Sequence, residues 1–192
     1  LGQGAVPFLF PLMLQLSFGL SPFESGMVTF VAAIGALSAK FVANWIFKSW
    51  GFKYPLVIAS LVSTLGILVM GFYVPGTPIP LILGILVFTG FWQSTFWTGS
   101  NAFVFADVDD RDAGQANVIS QVWGQLMFAM GVAVGGGTLE LAHRLRGGGE
   151  LALADFHMAF FVVSAISAVA VVMFLRIPRN AGHQLMSGPH MH

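Results

Sequence analysis

Charge is what this sequence has least of. Only 8% of its residues are Asp, Glu, Lys or Arg, against about 25% in a soluble domain. A water-facing surface cannot be built from so few charges, so lipid must cover most of the outside. Eight basic and eight acidic residues cancel, which gives no reason to expect a nucleic-acid partner. Cysteine is missing altogether, and that excludes a disulfide framework and any thiolate metal site. Residues 1–15 have no basic leading segment and do not read as a secretory signal peptide. The sequence has no initiator Met and opens inside an apolar run, so the expectation is a fragment or a protein with an upstream part. There is no P-loop, no dinucleotide fingerprint and no nucleophile–base–acid grouping. No enzyme activity and no cofactor are therefore expected.

Hydrophobic length is what it has in abundance. Apolar residues make up 56% of the 192, and the mean hydropathy is +0.82. A bilayer core of about 30 Å takes roughly 20 apolar residues per helix. Six stretches reach or approach that length: 4–18, 22–47, 54–74, 79–106, 113–145 and 153–177. Breakers separate them at Ser21-Pro22, Gly51, the Pro75-Gly76-Thr77-Pro78 run, the acidic run from Asp107, the Gly147-Gly148-Gly149 run and Pro178. The fold class read from this pattern is all-α, a polytopic membrane bundle of six transmembrane helices. The bundle is expected over 1–178, its first helix short, with a polar tail over 179–192.

Two helix starts are marked. Ser21, Pro22 and Glu24 form a capping box with Pro at the first helical position. Asp110 or Asp112 can cap the fifth helix, where negative charge complements the dipole. Basic residues set the orientation. Lys48, Lys53, Arg111, Arg176 and Arg179 fall on one side if all six helices span, and Arg144 and Arg146 on the other. The first side, with the C-terminus, is expected to be cytoplasmic.

The run Pro11-Leu12-Met13-Leu14-Gln15, followed by Phe18-Gly19-Leu20-Ser21-Pro22-Phe23-Glu24-Ser25-Gly26, resembles a known opening. It is that of the C-terminal half of fourteen-span drug:proton antiporters, the EmrB/QacA-like major facilitators. The loop Lys48-Ser49-Trp50-Gly51-Phe52-Lys53 is similar to the second copy of that family's G-x-x-x-D-R-x-G-x-R/K cytoplasmic motif. Gly51 and Lys53 match it, while Asn44, Lys48 and Ser49 stand where the motif has Gly, Asp and Arg. Ala113-Gly114-Gln115-Ala116-Asn117, with Gln125 and Gly131, resembles the family's penultimate helix. The resemblance runs to about Pro178. It implies a bacterial inner-membrane protein that exports small, often amphipathic compounds in exchange for protons. It also implies an N-terminal half that completes the transporter and carries most of the proton-coupling residues.

Several polar residues sit where hydrocarbon is expected. Lys40 lies roughly 12 Å up the helix from Lys48, where an ammonium costs about 2.5–3.5 kcal/mol unless it finds water or a partner. It fits a cavity-lining cation or a snorkelling side chain equally well. Gln93, Trp97 and Asn101 recur every fourth residue on the fourth helix. With neighbouring Trp92 they suit a pocket for an aromatic cation, or interhelical polar contacts with an interfacial aromatic belt. Asn117, Gln121 and Gln125 form a second such stripe, on the fifth helix, which must turn from lipid toward the bundle or a water cavity. Trp123, off that stripe, is expected to pack.

The remaining features favour structure. Gly131 and Gly135 let helices approach closely, and Pro7 and Pro11 suggest a kink. Glu140 is placed to pair with Arg144 one turn on, the alternative being a proton relay. Asp107, Asp109, Asp110 and Asp112 lack the EF-hand spacing. His183, His190 and His192 are too scattered to be a metal site. The sequence thus points to a transporter segment whose partners are lipid, the other half, a small-molecule substrate and protons. A narrow-range metabolite or sugar carrier, or a non-transporting membrane scaffold, are the competing readings.

Overall fold

The computed structural model describes residues 2–51, 53–105 and 113–175. They form six helices: α1 (Gly2–Leu16), α2 (Pro22–Trp50), α3 (Lys53–Met70), α4 (Ile79–Phe105), α5 (Ala113–Leu145) and α6 (Leu153–Leu175). No strand occurs among the described residues. Spans 22–50, 79–102 and 114–145 are long and apolar enough by themselves to cross a membrane. The apolar runs at 4–16, 54–70 and 153–169 are shorter.

Local chemistry explains the boundaries. At the start of α2 the Glu24 amide donates to Ser21 Oγ at 3.2 Å, and the Ser21 amide donates to Glu24 Oε2 at 2.8 Å. This is the expected capping box. The helix runs three residues past Phe47, because Lys48-Ser49-Trp50 contains no breaker and Gly51 (φ 70°) supplies the stop. Lys48 then lies in the last turn, where a cation suits the helix dipole. Helix α3 ends at Met70, short of Val74. The chain turns there, with the Thr77 amide donating to the Val74 carbonyl at 2.8 Å and the Val74 amide to Thr77 Oγ1 at 3.0 Å. The acidic run with its candidate caps, Phe52, Arg111 and the tail with its three histidines lie outside the described residues.

Packing follows a twofold plan. Helix α2 lies along α4, and α5 along α1. Helix α3 packs on α4, and α6 on α1; α2 meets α3, α5 meets α6, and α3 and α6 meet each other. Exchanging α1–α3 for α4–α6 maps each of these contacts onto another in the set. Three helices per repeat start the second repeat on the opposite side, so the relation is an inverted one. The α1–α2 and α1–α3 contacts have no counterpart of similar extent.

The core gathers around α1. Leu9, Phe10, Met13 and Leu14 are fully enclosed by Phe156, Phe160 and Val163 of α6, with Ile67 and Met70 of α3, Ile82 and Leu86 of α4, and Leu139 of α5. The α2–α4 crossing is closer still, backbone against backbone. A Cβ at Gly35 would overlap the Val87 carbonyl, and one at Gly90 would overlap the Ala32 carbonyl. Only glycine permits this reciprocal approach. Outside, large apolar side chains such as Phe23, Phe30, Phe41 and Trp45 stand exposed, as suits a surface that meets acyl chains rather than water.

Candidate functional site

A cavity of about 310 Å³ opens among α1, α3, α4 and α6, with Met127 of α5 at its edge. On α3 its wall is Ser60, Ser63, Thr64 and Ile67, at i, i+3, i+4 and i+7. On α4 it is Thr89, Gln93 and Phe96, at i, i+4 and i+7. Both sets follow the spacing of a single helical face. Ser167 and Ile166 close it from α6, and Gly2 and Val6 from α1. None of the residues in this wall is charged.

The hydroxyls divide into two kinds. Ser60 donates to the Val57 carbonyl at 2.9 Å, Thr64 to the Ser60 carbonyl at 2.9 Å, and Thr89 to the Ile85 carbonyl at 2.8 Å. Their protons are thus engaged on their own helices, and their oxygens keep lone pairs. Ser63 Oγ and Ser167 Oγ are buried without a partner. The wall therefore offers two free donors, several acceptors, one amide side chain, one aromatic ring and two methionines. That set suits a small neutral compound with both polar and apolar parts.

Of the residues expected from sequence, Gln93 reaches this cavity. Trp97 is 43% exposed and Asn101 is exposed. Each i to i+4 step turns about 40° further round the helix, so the stripe leaves the cavity after Gln93. Phe96, at i+3 from Gln93, takes the place expected of Trp97. The hydroxyls of α3, Thr89 and Ser167 were missed, although the Ser60-x-x-Ser63-Thr64 spacing on an apolar helix was the signal for them.

Lys40 is exposed on α2. It belongs to a face of small and polar residues, Thr29, Ala33, Ala36, Lys40 and Asn44, spaced at four, three, four and four. The bulky Leu37, Phe41 and Trp45 point elsewhere and are also exposed. The loop-motif residues divide likewise: Lys48 is exposed, Gly51 is the α2 stop, and the Lys53 side chain lies outside the described residues.

Asn117, Gln121 and Gln125 are exposed, and no described helix covers them. Further along α5 the same face carries buried Gly135 and Leu139, each five full turns from Asn117 and Gln121. At Gly135 a Cβ would lie 3.1 Å from Ala5 Cβ of α1, which bears out close helix approach there. Trp123, expected to pack, is 56% exposed. Its neighbours on α5 from Val118 to Met130 are largely exposed too, although Gly4 of α1 packs closely against the Phe128 backbone.

A second polar constellation ties α5 to α6. Arg146 donates to the Asp155 carboxylate through Nε at 3.0 Å and Nη2 at 2.8 Å, and to the Glu150 carbonyl at 2.6 Å. Asp155 Oδ2 also accepts from the Ala152 amide at 2.9 Å, and its side chain is 2% exposed. The carboxylate beside it holds the Arg146 guanidinium above its ordinary range. Nearby, His157 Nε2 lies 2.9 Å from the Tyr73 carbonyl. Burial pushes the Tyr73 hydroxyl up to about 12. Sequence reading passed over Asp155, whose signal is an acid placed two residues into an apolar helix. Glu140 pairs with Arg144 at 2.7 Å, both exposed, as expected of a surface pair.

Comparison with known proteins agrees with this architecture. The "Putative multidrug resistance protein MdtD" of Enterobacter sp. (strain 638) is 26% identical over 98% of this chain and 40% of its own length. The protein of the same name in Cronobacter sakazakii is 27% identical over 93% of the chain and 38% of its own length. The "Probable transport protein HsrA" of Haemophilus influenzae is 24% identical over 98% and 41%. The chain thus spans about 40% of the length of these relatives. No solved structure matches it significantly. The family model of the Major Facilitator Superfamily matches residues 1–187. This chain, whose six described helices form two interlocked triplets, belongs to the Major Facilitator Superfamily, a family of membrane-embedded, multi-pass transporters.

Proposed function

We propose that this chain forms one wall of a transporter that exports drugs or small amphipathic compounds in exchange for protons, as the C-terminal half of a bacterial inner-membrane protein. The supporting observation is the pair of polar helix faces that the six helices leave uncovered. Lys40 and Asn44 on α2, and Asn117, Gln121 and Gln125 on α5, are all exposed. Hydrocarbon offers such groups no partners, so a second bundle and a water-filled passage between the two are the cover they call for. The relatives' extra length has room for that bundle, and their names speak of multidrug resistance and transport. In this reading the α2–α3 and α4–α5 loops and the C-terminus face the cytoplasm.

The test uses the full-length protein in proteoliposomes with an imposed pH gradient. Collapse of the gradient on adding substrate, across a panel of amphipathic compounds, is the expected result. Silence across the whole panel, with the protein folded and correctly inserted, would reject drug antiport. Because the chain has no cysteine, Gln121→Cys and Lys40→Cys give clean labelling sites within it. Labelling by an impermeant thiol reagent that changes with substrate fits a passage; no labelling in any condition fits a scaffold. The uncharged, hydroxyl-rich cavity around Gln93 favours a second reading, a carrier of small neutral metabolites. Under that reading Gln93→Ala abolishes transport of one compound rather than shifting a broad range.

A further inference from the structure

The α5–α6 end of the bundle carries a cluster that the transport reading does not use. His143 lies in the last turn of α5, and its Nδ1 is buried without a hydrogen-bond partner. That nitrogen is 3.8 Å from Asp155 Oδ2, close enough for an ion pair but too far for a hydrogen bond. Arg146 and the Ala152 amide already hold the same carboxylate. Between the two helices run Gly147, Gly148 and Gly149, with φ of 99°, 78° and 101°. Glycine is the residue that adopts such angles readily, so the link is soft and the clasp across it sets its shape.

We propose that His143 is a proton-binding site: taking up a proton lets its imidazole close on Asp155 as a second cation beside Arg146 and tighten the α5–α6 clasp. Histidine is the side chain that changes charge between about pH 5 and 8, and a cation at a helix C-terminus is favoured by the dipole. The charged surroundings support one acceptor. On α5, Glu140 is engaged by Arg144, and both are exposed. The loop contributes Arg146 and Glu150, whose carbonyl is held by Arg146. Helix α6 contributes Asp155, and His157, whose ring nitrogen is directed at Tyr73. Helix α1, which also packs on α5, contributes no titratable side chain over Gly2–Leu16. Among the described residues, Asp155 is the carboxylate within ion-pair distance of the His143 ring. Nothing in this requires drug export, and the clasp would operate in any transporter built this way.

The test is hydrogen–deuterium exchange on the full-length protein in detergent, at about pH 8 and about pH 5.5, read at the amides of 147–152 after correction for intrinsic rates. Protection in the wild type should rise on acidification by about two- to fivefold, the size of a partly exposed ion pair. His143→Gln should lose that rise, and His143→Lys should be protected at both pH values. His157→Gln should respond like the wild type. An equal rise in wild type and His143→Gln would overturn the proposal, as would no rise in the wild type. Asp155→Asn, if it folds, should abolish the rise. The pair of His143 variants decides the matter without it, and a failed flux assay would leave the exchange result standing.

Discussion

Gly84 and Gly90 lie six residues apart on α4, and the same substitution should have opposite signs at the two. Gly84 is exposed, and a Cβ there meets nothing within 4 Å. Replacing it with Ala removes the cost of glycine in a helix, so Gly84→Ala should stabilise by up to about 1 kcal/mol. At Gly90 the added carbon would overlap the Ala32 carbonyl oxygen, with the Ala32 Cα 3.2 Å away. These are backbone atoms and cannot swing aside, so α2 and α4 must separate along the most extensive contact in the bundle. Overpacking costs about 1–3 kcal/mol, and subtracting the same helix gain leaves Gly90→Ala destabilised by about 0–2 kcal/mol. The gain is common to both, so the two variants should differ by roughly 1–3 kcal/mol in unfolding of the purified full-length protein in mixed micelles. Gly35 sits across the same crossing, so a Gly35→Ala, Gly90→Ala double variant should cost less than the sum, because the first change has already parted the helices. If Gly90→Ala unfolds within about 0.5 kcal/mol of Gly84→Ala, the reciprocal close approach is not a feature of the folded protein.

Other outcomes follow from the same geometry. Arg146→Gln should lower the midpoint of unfolding, because Asp155 loses two charge-assisted hydrogen bonds while staying buried; equal unfolding of variant and wild type would refute the clasp. Ser21→Ala should cost about 1 kcal/mol through loss of the cap on α2, read as faster exchange of the amides of 23–25, and unchanged exchange would count against it. Lys40→Gln should leave unfolding within about 0.5 kcal/mol of wild type, since the side chain is exposed, while changing the charge preference of transported compounds toward cations. Unaltered preference would remove Lys40 from the passage.

How far the sequence could be read depended on which interactions were local. Six helices were legible because apolar runs and breakers record themselves along the chain, and the Ser21–Glu24 box recorded the start of α2 to the residue. The Glu140–Arg144 pair was legible for the same reason, since both partners share one helix. What the sequence hid was every choice between helices. Gln93 and Trp97 look equivalent on α4, yet one enters a cavity and the other is exposed, because the position of α3 decides which arc is covered. Asp155 drew no reading from the sequence, because its partner Arg146 reaches it across the glycine loop from nine residues away.

The exposed stripes carry the argument one step further. Asn117, Gln121 and Gln125 were expected to face inward, and no described helix of this bundle covers them. Their position on α5 is not arbitrary: they continue the face by which Gly135 and Leu139 are buried in the bundle, Gly135 directly against α1. A helix face that is apolar and closely packed at one end and amide-lined at the other has two different neighbours along its length. The packed end fixes α5 to its own bundle, and the amide-lined end is left for water, cargo or another helix. On α2 the division runs around the helix instead: the Gly35 face grips α4, while Lys40 and Asn44 on another face are exposed. In the twofold plan α2 and α5 are counterparts, so both triplets join a gripping surface to exposed polar side chains, which is what the proposed passage needs.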